Sequence, residues 1–409
     1  MIVAILTLHA GQVHAQAPTV TVTTLLEGNE DTSLADRTRI DAGLRRGLRE
    51  VEGVEYVFAS DLLAEASSHD VSETTAILDG VAEDLRAGRA ADASSRIEAL
   101  VNDLDQRLAS VPRSLLVDAY MLRAVTACEL SDMAGCNDGF SRVIAFRESL
   151  EYDVSRYPAA HQALFETSQR ALVTDGSRGS IEIRSEPDGA EVFIDGRSLG
   201  PSPAVAEGLL VGDHFVSARS LGYAELVRRV SVNQSYQDTV RLELVPIGRA
   251  RLLDEDLARV GSELGQPRVG AIISSIGSYL FVNQIIIGNI EPAEDESLSL
   301  SLYLYDLRTR LLLSRQMSTI PRDATATELS AALLSQLYEG VDLSGHLRAP
   351  EDIAIEVDDP GIWEQWWFWS VVGVVVASAV VTGVVLSNSG EENPLPPGWW
   401  SVHGQFAGR

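Results

Sequence analysis

The sequence Ser-Glu-Pro-Asp-Gly-Ala-Glu-Val-Phe-Ile-Asp-Gly occupies residues 185–196 and decides how the middle of the chain is built. Pro187 restricts φ ahead of a turn, and Gly189 accepts a positive φ, so a tight turn is predicted there. Val192 and Ile194 then alternate with other residues, which is the period-two pattern of a half-buried strand. Similar short strands, separated by Gly and Pro turns, surround this stretch and predict a small β-rich module.

This β-rich stretch, residues 179–246, resembles the PEGA domain, which is named for a Pro-Glu-Gly-Ala turn. The matching turn here is formed by Pro187, Asp188, Gly189 and Ala190, with Asp188 in place of the family's Glu. The resemblance implies a small antiparallel β-sandwich of surface or envelope proteins, an adhesion or interaction module with no known catalytic residues. Its aromatic side chains Tyr223 and Tyr236 are candidate contacts for carbohydrate or peptidoglycan.

The overall charge excludes several classes of function. The 409 residues include 59 Asp and Glu against 32 positive residues, all of them Arg, for a net charge of −27. Such a chain is not expected to bind nucleic acid, since phosphates require basic surface. The absence of lysine also excludes a P-loop lysine, a Schiff base and a Ser–Lys dyad.

The amino terminus is typical of a secretory leader. Residues 2–8 are apolar, and Val13-His14-Ala15 forms a small-x-small cleavage pattern, which predicts a signal peptide over residues 1–17. No Arg precedes the apolar run, so a short buried strand or a misplaced start remains the alternative. Export would place the bulk of the chain in the periplasm or outside the cell.

The carboxyl-terminal region predicts one transmembrane helix. Residues 366–386 carry no charge and, as a helix, would extend about 31 Å, enough to cross a bilayer. A buried core helix is the alternative. An acidic linker, residues 343–365, precedes this segment, and a short tail, residues 387–409, follows it. With an exported amino-terminal part, the segment would lie in the bacterial inner membrane with the tail in the cytoplasm.

Two groups of residues in this region carry further predictions. An interfacial belt is predicted at Trp363, Trp366, Trp367 and Trp369. Small residues four apart, which allow helices to approach closely and so favour a homo-oligomer, are Gly373 with Ala377 and Ala379 with Gly383. The ordinary content of small residues in membrane helices is the alternative.

Residues 71–175 have helical periodicity throughout and resemble tetratricopeptide-like hairpins. Cys128 and Cys136 flank the link between two of these helices. In an oxidising compartment they would form a disulfide that joins the hairpin, and the alternative is two inert buried thiols.

Strand and helix patterns alternate in the two remaining parts, residues 18–70 and 250–342. The apolar runs at residues 269–273 and 285–287 are predicted to be strands, and residues 298–305 alternate as a half-buried strand. The order resembles the α/β domain of CsgG-like secretion proteins and the amino-terminal region of TolB. The resemblance implies one discontinuous domain, and two separate small α/β pieces are the alternative.

The chemistry-bearing residues do not form a recognisable active site. Ser198 lies in a G-x-S-x-G sequence, but Pro201 and Pro203 follow at once and disfavour the helix that a nucleophile elbow requires. The histidines lack metal-ligand spacing, and the acidic clusters lack the pattern of a calcium loop. No catalytic, cofactor or metal residue is therefore predicted.

The sequence predicts a multidomain α+β protein that is not an enzyme and needs no cofactor. Its leading interpretation is a single-pass envelope scaffold or binding platform that presents the β-rich module to envelope proteins or a cell-wall polymer. One alternative is a component of a periplasmic secretion or assembly complex, and another is a cell-wall or carbohydrate anchor. A sensor that signals through the short tail is a weaker alternative.

Overall fold

The computed structural model describes residues 19–28, 31–64, 71–234, 237–295 and 297–343. These residues lie in one compact unit. The predicted signal peptide, linker, transmembrane helix, Trp belt, small-residue face and tail lie outside the described residues. Among the described residues, no helix is both long and apolar enough to cross a membrane.

The fold is mixed α+β, as the sequence predicts. The helices are α1 (Leu34–Leu48), α2 (Ala59–Leu63), α3 (Val71–Arg86), α4 (Ala90–Leu104), α5 (Arg113–Glu129), α6 (Met133–Phe146), α7 (Gln162–Asp175), α8 (Ala250–Val260), α9 (Ala271–Leu280) and α10 (Ala326–Tyr338). The strands are β1 (Val20–Gly28), β2 (Val54–Tyr56), β3 (Arg178–Glu186), β4 (Glu191–Ile194), β5 (Arg197–Pro201), β6 (Ala204–Leu210), β7 (Gly212–Arg219), β8 (Leu226–Val232), β9 (Gln237–Glu243), β10 (Gln284–Pro292), β11 (Ser297–Asp306) and β12 (Leu311–Pro321).

A five-stranded sheet with the order β12-β11-β10-β1-β2 forms the α/β layer. The strand β1 is parallel to both β10 and β2, while β10, β11 and β12 are antiparallel to their neighbours. Helices α1 and α10 cover one face of this sheet, and α2, α8 and α9 cover the other. Because both faces are buried, β10 contains a continuous apolar run, Ile285-Ile286-Ile287, rather than an alternating pattern.

The prediction of a strand at residues 269–273 is wrong, because α9 begins at Ala271. Ile273, Ile276 and Leu280 are fully buried, and their spacing of three and four residues is that of a helical face. The start of the helix is capped from outside, since Glu263 accepts hydrogen bonds from the backbone N–H groups of Ile272 and Ile273.

The β-rich segment forms two sheets, a three-stranded one with the order β6-β3-β9 and a four-stranded one with the order β5-β4-β7-β8. The prediction of a wholly antiparallel module is wrong at one place, because β3 and β9 are parallel. These two strands open and close the module, and the five intervening strands provide the long crossover that a parallel pair requires. Their shared core includes Ile183, Val192, Val216 and Leu242, all fully buried.

Helices α3 to α7 form the third part, and their core extends into the β-module. Phe215 on β7 lies in the same apolar cluster as the helices, with its ring centroid 5.1 Å from that of Phe146 and 6.2 Å from that of Tyr120. Cys128 and Cys136 are joined in a disulfide across the α5–α6 link. The β-module therefore packs on the helices on one side and on the α/β layer on another.

Candidate functional site at the junction of the β-module and the α/β layer

The turn Pro187-Asp188-Gly189-Ala190 lies against the amino-terminal half of α1. Gly189 has a φ of +90°, and the hydroxyl of Thr38 donates a 2.8 Å hydrogen bond to its carbonyl oxygen. A Cβ at Gly189 would lie 2.7 Å from the backbone nitrogen of Ala35, so no larger residue fits without displacing the helix. Gly189 and Ala190 are buried, while Asp188 is exposed. The turn is therefore a docking element between two parts of the chain.

A buried ionic network joins the same two parts. The Arg45 side chain pairs with Glu191 at the start of β4, and its Nε donates a 2.9 Å hydrogen bond to Asp41. Only 11% of the Arg45 side chain and 7% of the Glu191 side chain are exposed. The second Glu191 oxygen accepts a 2.7 Å hydrogen bond from Ser198. Each charge is thus compensated, as a buried charge requires.

The electrostatics of this network follow from burial and from its charges. Burial opposes the charge on Arg45, but Asp41 and Glu191 more than offset that effect and raise the pKa of Arg45. Burial raises the pKa of the Glu191 carboxyl, and the Arg45 guanidinium opposes that rise. Loss of either partner would leave a desolvated charge at the junction.

A hydroxyl on α2 forms a second link between the parts. Ser60 Oγ accepts a hydrogen bond from the backbone N–H of Gly222 at 2.9 Å and donates one to the carbonyl of Ser220 at 3.1 Å. Beside it, the Arg219 guanidinium lies 5.7 Å from the centre of the Phe58 ring and pairs with Glu225. These contacts hold the loop after β7 on the α/β layer.

Between the two links lies a cavity of about 310 Å³. Its walls are partly apolar, including Leu34, Phe58 and Leu257, and partly charged. Burial raises the pKa of the Glu27 carboxyl against the opposing Arg37 guanidinium, and burial also raises that of Asp254. A cavity of this size that combines apolar walls with both signs of charge suits a small amphipathic ligand.

On the helical side, charged contacts supplement the aromatic ones. Arg229 on β8 donates hydrogen bonds to Asp105 at 2.8 Å and to the hydroxyl of Tyr120 at 3.0 Å. Arg178 on β3 pairs with Glu148 after α6 at 3.0 Å. The β-module is thus held by side chains from both neighbouring parts.

The other candidate residues from the sequence fall in different places. Ser198 lies on β5, with Glu191 rather than a histidine beside its hydroxyl. Tyr223 is half-buried and packs against the core of the β-module. Tyr236 lies outside the described residues. In the part of the chain that the structure describes, no group of three or more His, Cys, Asp or Glu side chains has the arrangement of a metal site.

Sequence reasoning missed the residues that build the junction. Asp41 and Arg45 form an i,i+4 pair on a helix, a spacing so common on exposed faces that it carries no functional signal. Their partner Glu191 is 146 residues away from Arg45, so its contribution is invisible in any local pattern. His214 was also not singled out, yet it lies buried with its ring nitrogens 2.7 Å from Asp195 Oδ2 and 2.7 Å from the Leu210 carbonyl.

Comparison with known proteins identifies the β-module. No curated protein matches the chain. Residues 178–247 match the family model of the PEGA domain. These limits agree closely with the segment 179–246 expected from the turn and strand pattern, so the chain contains a PEGA domain.

Proposed function

We propose that this chain is a non-enzymatic envelope protein whose exported region serves as a scaffold, with the PEGA domain as its central structural element. The observation that carries the proposal is the clamping of the domain on two sides. The turn Pro187-Asp188-Gly189-Ala190 packs against α1, where Thr38 donates a hydrogen bond to Gly189. Phe215, on the other side of the domain, packs in the apolar core of helices α3 to α7. The domain therefore contributes to one composite surface instead of acting as a free-standing binding module.

The membrane topology belongs to the same proposal. A leader over residues 1–17 and a span over residues 366–386 would place the composite surface in the periplasm, tethered through the acidic linker. Protease added to intact spheroplasts should then remove residues 19–343, while a tag after Arg409 stays protected. Protection of both ends would contradict this topology.

Affinity capture tests the scaffold role directly. The full chain, carrying an affinity tag, is recovered from crosslinked envelopes, and the proteins that accompany it are quantified. The matched control bait keeps the leader and residues 344–409 but lacks residues 19–343. We expect a defined set of envelope proteins in fixed ratio with the full chain alone. Recovery of the same proteins with both baits, or of none, would refute the scaffold role.

A second candidate, a component of a periplasmic assembly complex, has one specific observation in its favour. The strand β12 lies at the edge of the five-stranded sheet, where its first residues pair with the segment 267–269. Beyond that pairing, the side chain of Met317 is 68% exposed. Long exposed edge strands are templates for pairing with another chain. A defined oligomer that Met317→Lys dissociates would favour this candidate over the scaffold without fixed stoichiometry.

The cell-wall anchor has less support. Tyr223 is its candidate contact among the described residues. This side chain is half-buried and packs against the core of the PEGA domain, which leaves only part of the ring for a ligand. Capture of peptidoglycan fragments alone would nevertheless favour the anchor.

A further inference from the structure

An arginine-lined groove crosses the junction beside the small cavity, with which it shares Glu191 and Arg219. It consists of two adjoining cavities of about 700 and 380 Å³ that share Arg45 and Arg49 in their walls. Six arginines and two glutamates line the two together. Such an excess of positive charge contrasts with the net charge of −27 for the whole chain.

Internal ion pairs neutralise half of these arginines. Those with a carboxylate partner are Arg39 with Asp36, Arg45 with Asp41 and Glu191, and Arg219 with Glu225. Arg46 and Arg49 are exposed and form no ion pair with any described residue. Arg113, whose Nη1 is buried, has no hydrogen-bond partner for that nitrogen among the described residues. The Arg113 guanidinium also lies 5.6 Å from the centre of the Phe215 ring, so it is engaged within the fold. The exposed charges of Arg46 and Arg49 therefore remain for a ligand.

The groove has the length and walls of a peptide site. From Arg39 to Arg49, α1 extends about 15 Å, which matches about five residues of extended chain. The opposite wall includes Ser198 and Gly200 of β5, the outermost strand in the order β5-β4-β7-β8. An edge strand can form main-chain hydrogen bonds with an extended peptide, which a sugar-phosphate polymer cannot reproduce. Phe193 adds an apolar surface shared by both cavities.

We propose that this groove binds an extended acidic peptide segment of a partner protein. The peptide backbone would pair along β5, its carboxylates would contact Arg46 and Arg49, and its apolar side chains would pack near Phe193. This inference rests on the proposed scaffold function and names the chemistry of the partner that the scaffold holds.

Fluorescence anisotropy with the purified full chain tests the proposal. The acidic probe is a labelled peptide of about eight residues that alternates Glu and Val, and its neutral counterpart has Gln in place of Glu. We expect the acidic probe to bind more tightly, and its affinity to fall with added salt because screening weakens exposed charge pairs. The double variant Arg46→Ser/Arg49→Ser should raise the Kd of the acidic probe about tenfold.

The matched control variant is Arg86→Ser/Arg147→Ser. Arg86 lies in the last turn of α3 and Arg147 is the C-cap of α6, just as Arg46 lies in the last turn of α1 and Arg49 is its C-cap. All four are exposed, so the two double variants change net charge and helix ends alike. The control should bind the acidic probe as the wild type does.

Three results would overturn the proposal. They are equal binding of the acidic probe by wild type and groove variant, no binding at all, and preferential binding of a glycerol-phosphate polymer that the groove variant loses. The last result would identify a polyanion site instead. Affinity capture with the groove variant separates this inference from the scaffold role. If the variant recovers the full set of envelope proteins, the groove proposal fails and the scaffold stands. If even the wild type recovers none, the scaffold itself fails.

Discussion

Replacing Gly189 with alanine should loosen the PEGA domain from α1, and Gly200→Ala provides a matched control. Both glycines have a φ of +90° and lie in the same domain. A Cβ at Gly189 would lie 2.7 Å from the backbone nitrogen of Ala35, whereas a Cβ at Gly200 meets no atom within 4 Å. The two substitutions therefore share the backbone strain and differ in the clash with α1.

The expected magnitudes follow from this difference. A left-handed conformation costs an L-residue about 1–2 kcal/mol, and both variants incur that cost. Gly189→Ala adds an overpacking cost of about 1–3 kcal/mol against helix backbone. It also displaces the carbonyl that accepts from Thr38, a hydrogen bond worth about 1 kcal/mol. We expect a loss of about 1–2 kcal/mol in unfolding free energy for Gly200→Ala and roughly 3–6 kcal/mol for Gly189→Ala.

Urea unfolding of the purified protein, followed by circular dichroism, measures both losses. Limited proteolysis in the native state gives an independent measure, because a detached turn should expose the chain around β3 and β4. Equal urea midpoints and equal rates of proteolytic cleavage for the two variants would refute the reasoning. They would mean that a Cβ at Gly189 does not disturb the packing of the turn against α1.

Three further predictions concern the charges and the disulfide. In a double-mutant cycle of Arg45→Met and Glu191→Leu, each single variant should lose about 3–5 kcal/mol of unfolding free energy, because it leaves the partner's charge buried and unpaired. The double variant should lose clearly less than the sum of the two single losses. Burial opposes the charge on His214, but hydrogen bonding and charge attraction from Asp195 raise its pKa overall. That contribution to stability is fully present below about pH 6.5 and is lost as pH rises through the raised pKa, so His214→Gln should cost more at pH 6 than at pH 9. Replacing both Cys128 and Cys136 with alanine should lower the unfolding free energy by about 2–3 kcal/mol. The loss is modest because the two cysteines are only 8 residues apart in sequence, so the disulfide closes a short loop.

Each of these predictions has an outcome that contradicts it. Additive losses in the cycle would mean that Arg45 and Glu191 act independently. A pH-independent cost for His214→Gln would mean that the imidazole carries no extra proton when folded. An unchanged urea midpoint for the cysteine variant, with dithiothreitol also without effect on the wild type, would mean that the disulfide does not stabilise the α5–α6 hairpin.

Local patterns predicted the elements whose shape is decided locally. The turn at Pro187 and Gly189 follows from two residues with restricted or permissive φ. The alternation of Leu298 to Leu304 follows because successive side chains of a strand point to opposite faces, and the leucines share the face that α1 and α10 cover. The error at residues 269–273 arose because branched apolar residues favour strands, while the cap that starts α9 comes from Glu263, outside the periodic segment.

The junction could not be predicted because its chemistry depends on tertiary contacts. Arg45 and Glu191 are ordinary charged residues in their local context, and only the fold makes them a buried pair. The same holds for Arg46 and Arg49, which any helix wheel would place on a solvated face. Their significance comes from the edge strand β5, contributed by a segment about 150 residues later in the chain.

The pairing of β1 with β10 has a consequence for biogenesis. Thr21 and Asn283, which hydrogen-bond across these neighbouring strands, are 262 residues apart. At roughly 5–20 residues per second, synthesis of that interval takes about 13–50 s. Throughout that time β1, whose Val20, Val22 and Leu25 are fully buried in the finished protein, lacks its parallel neighbour β10. Helices α3 to α7 and the PEGA domain are complete in sequence before then, so β1 gains β10 as its neighbour only after both have been synthesised. Any factor that shields nascent apolar segments would act here, on the earliest strand of a sheet that closes late.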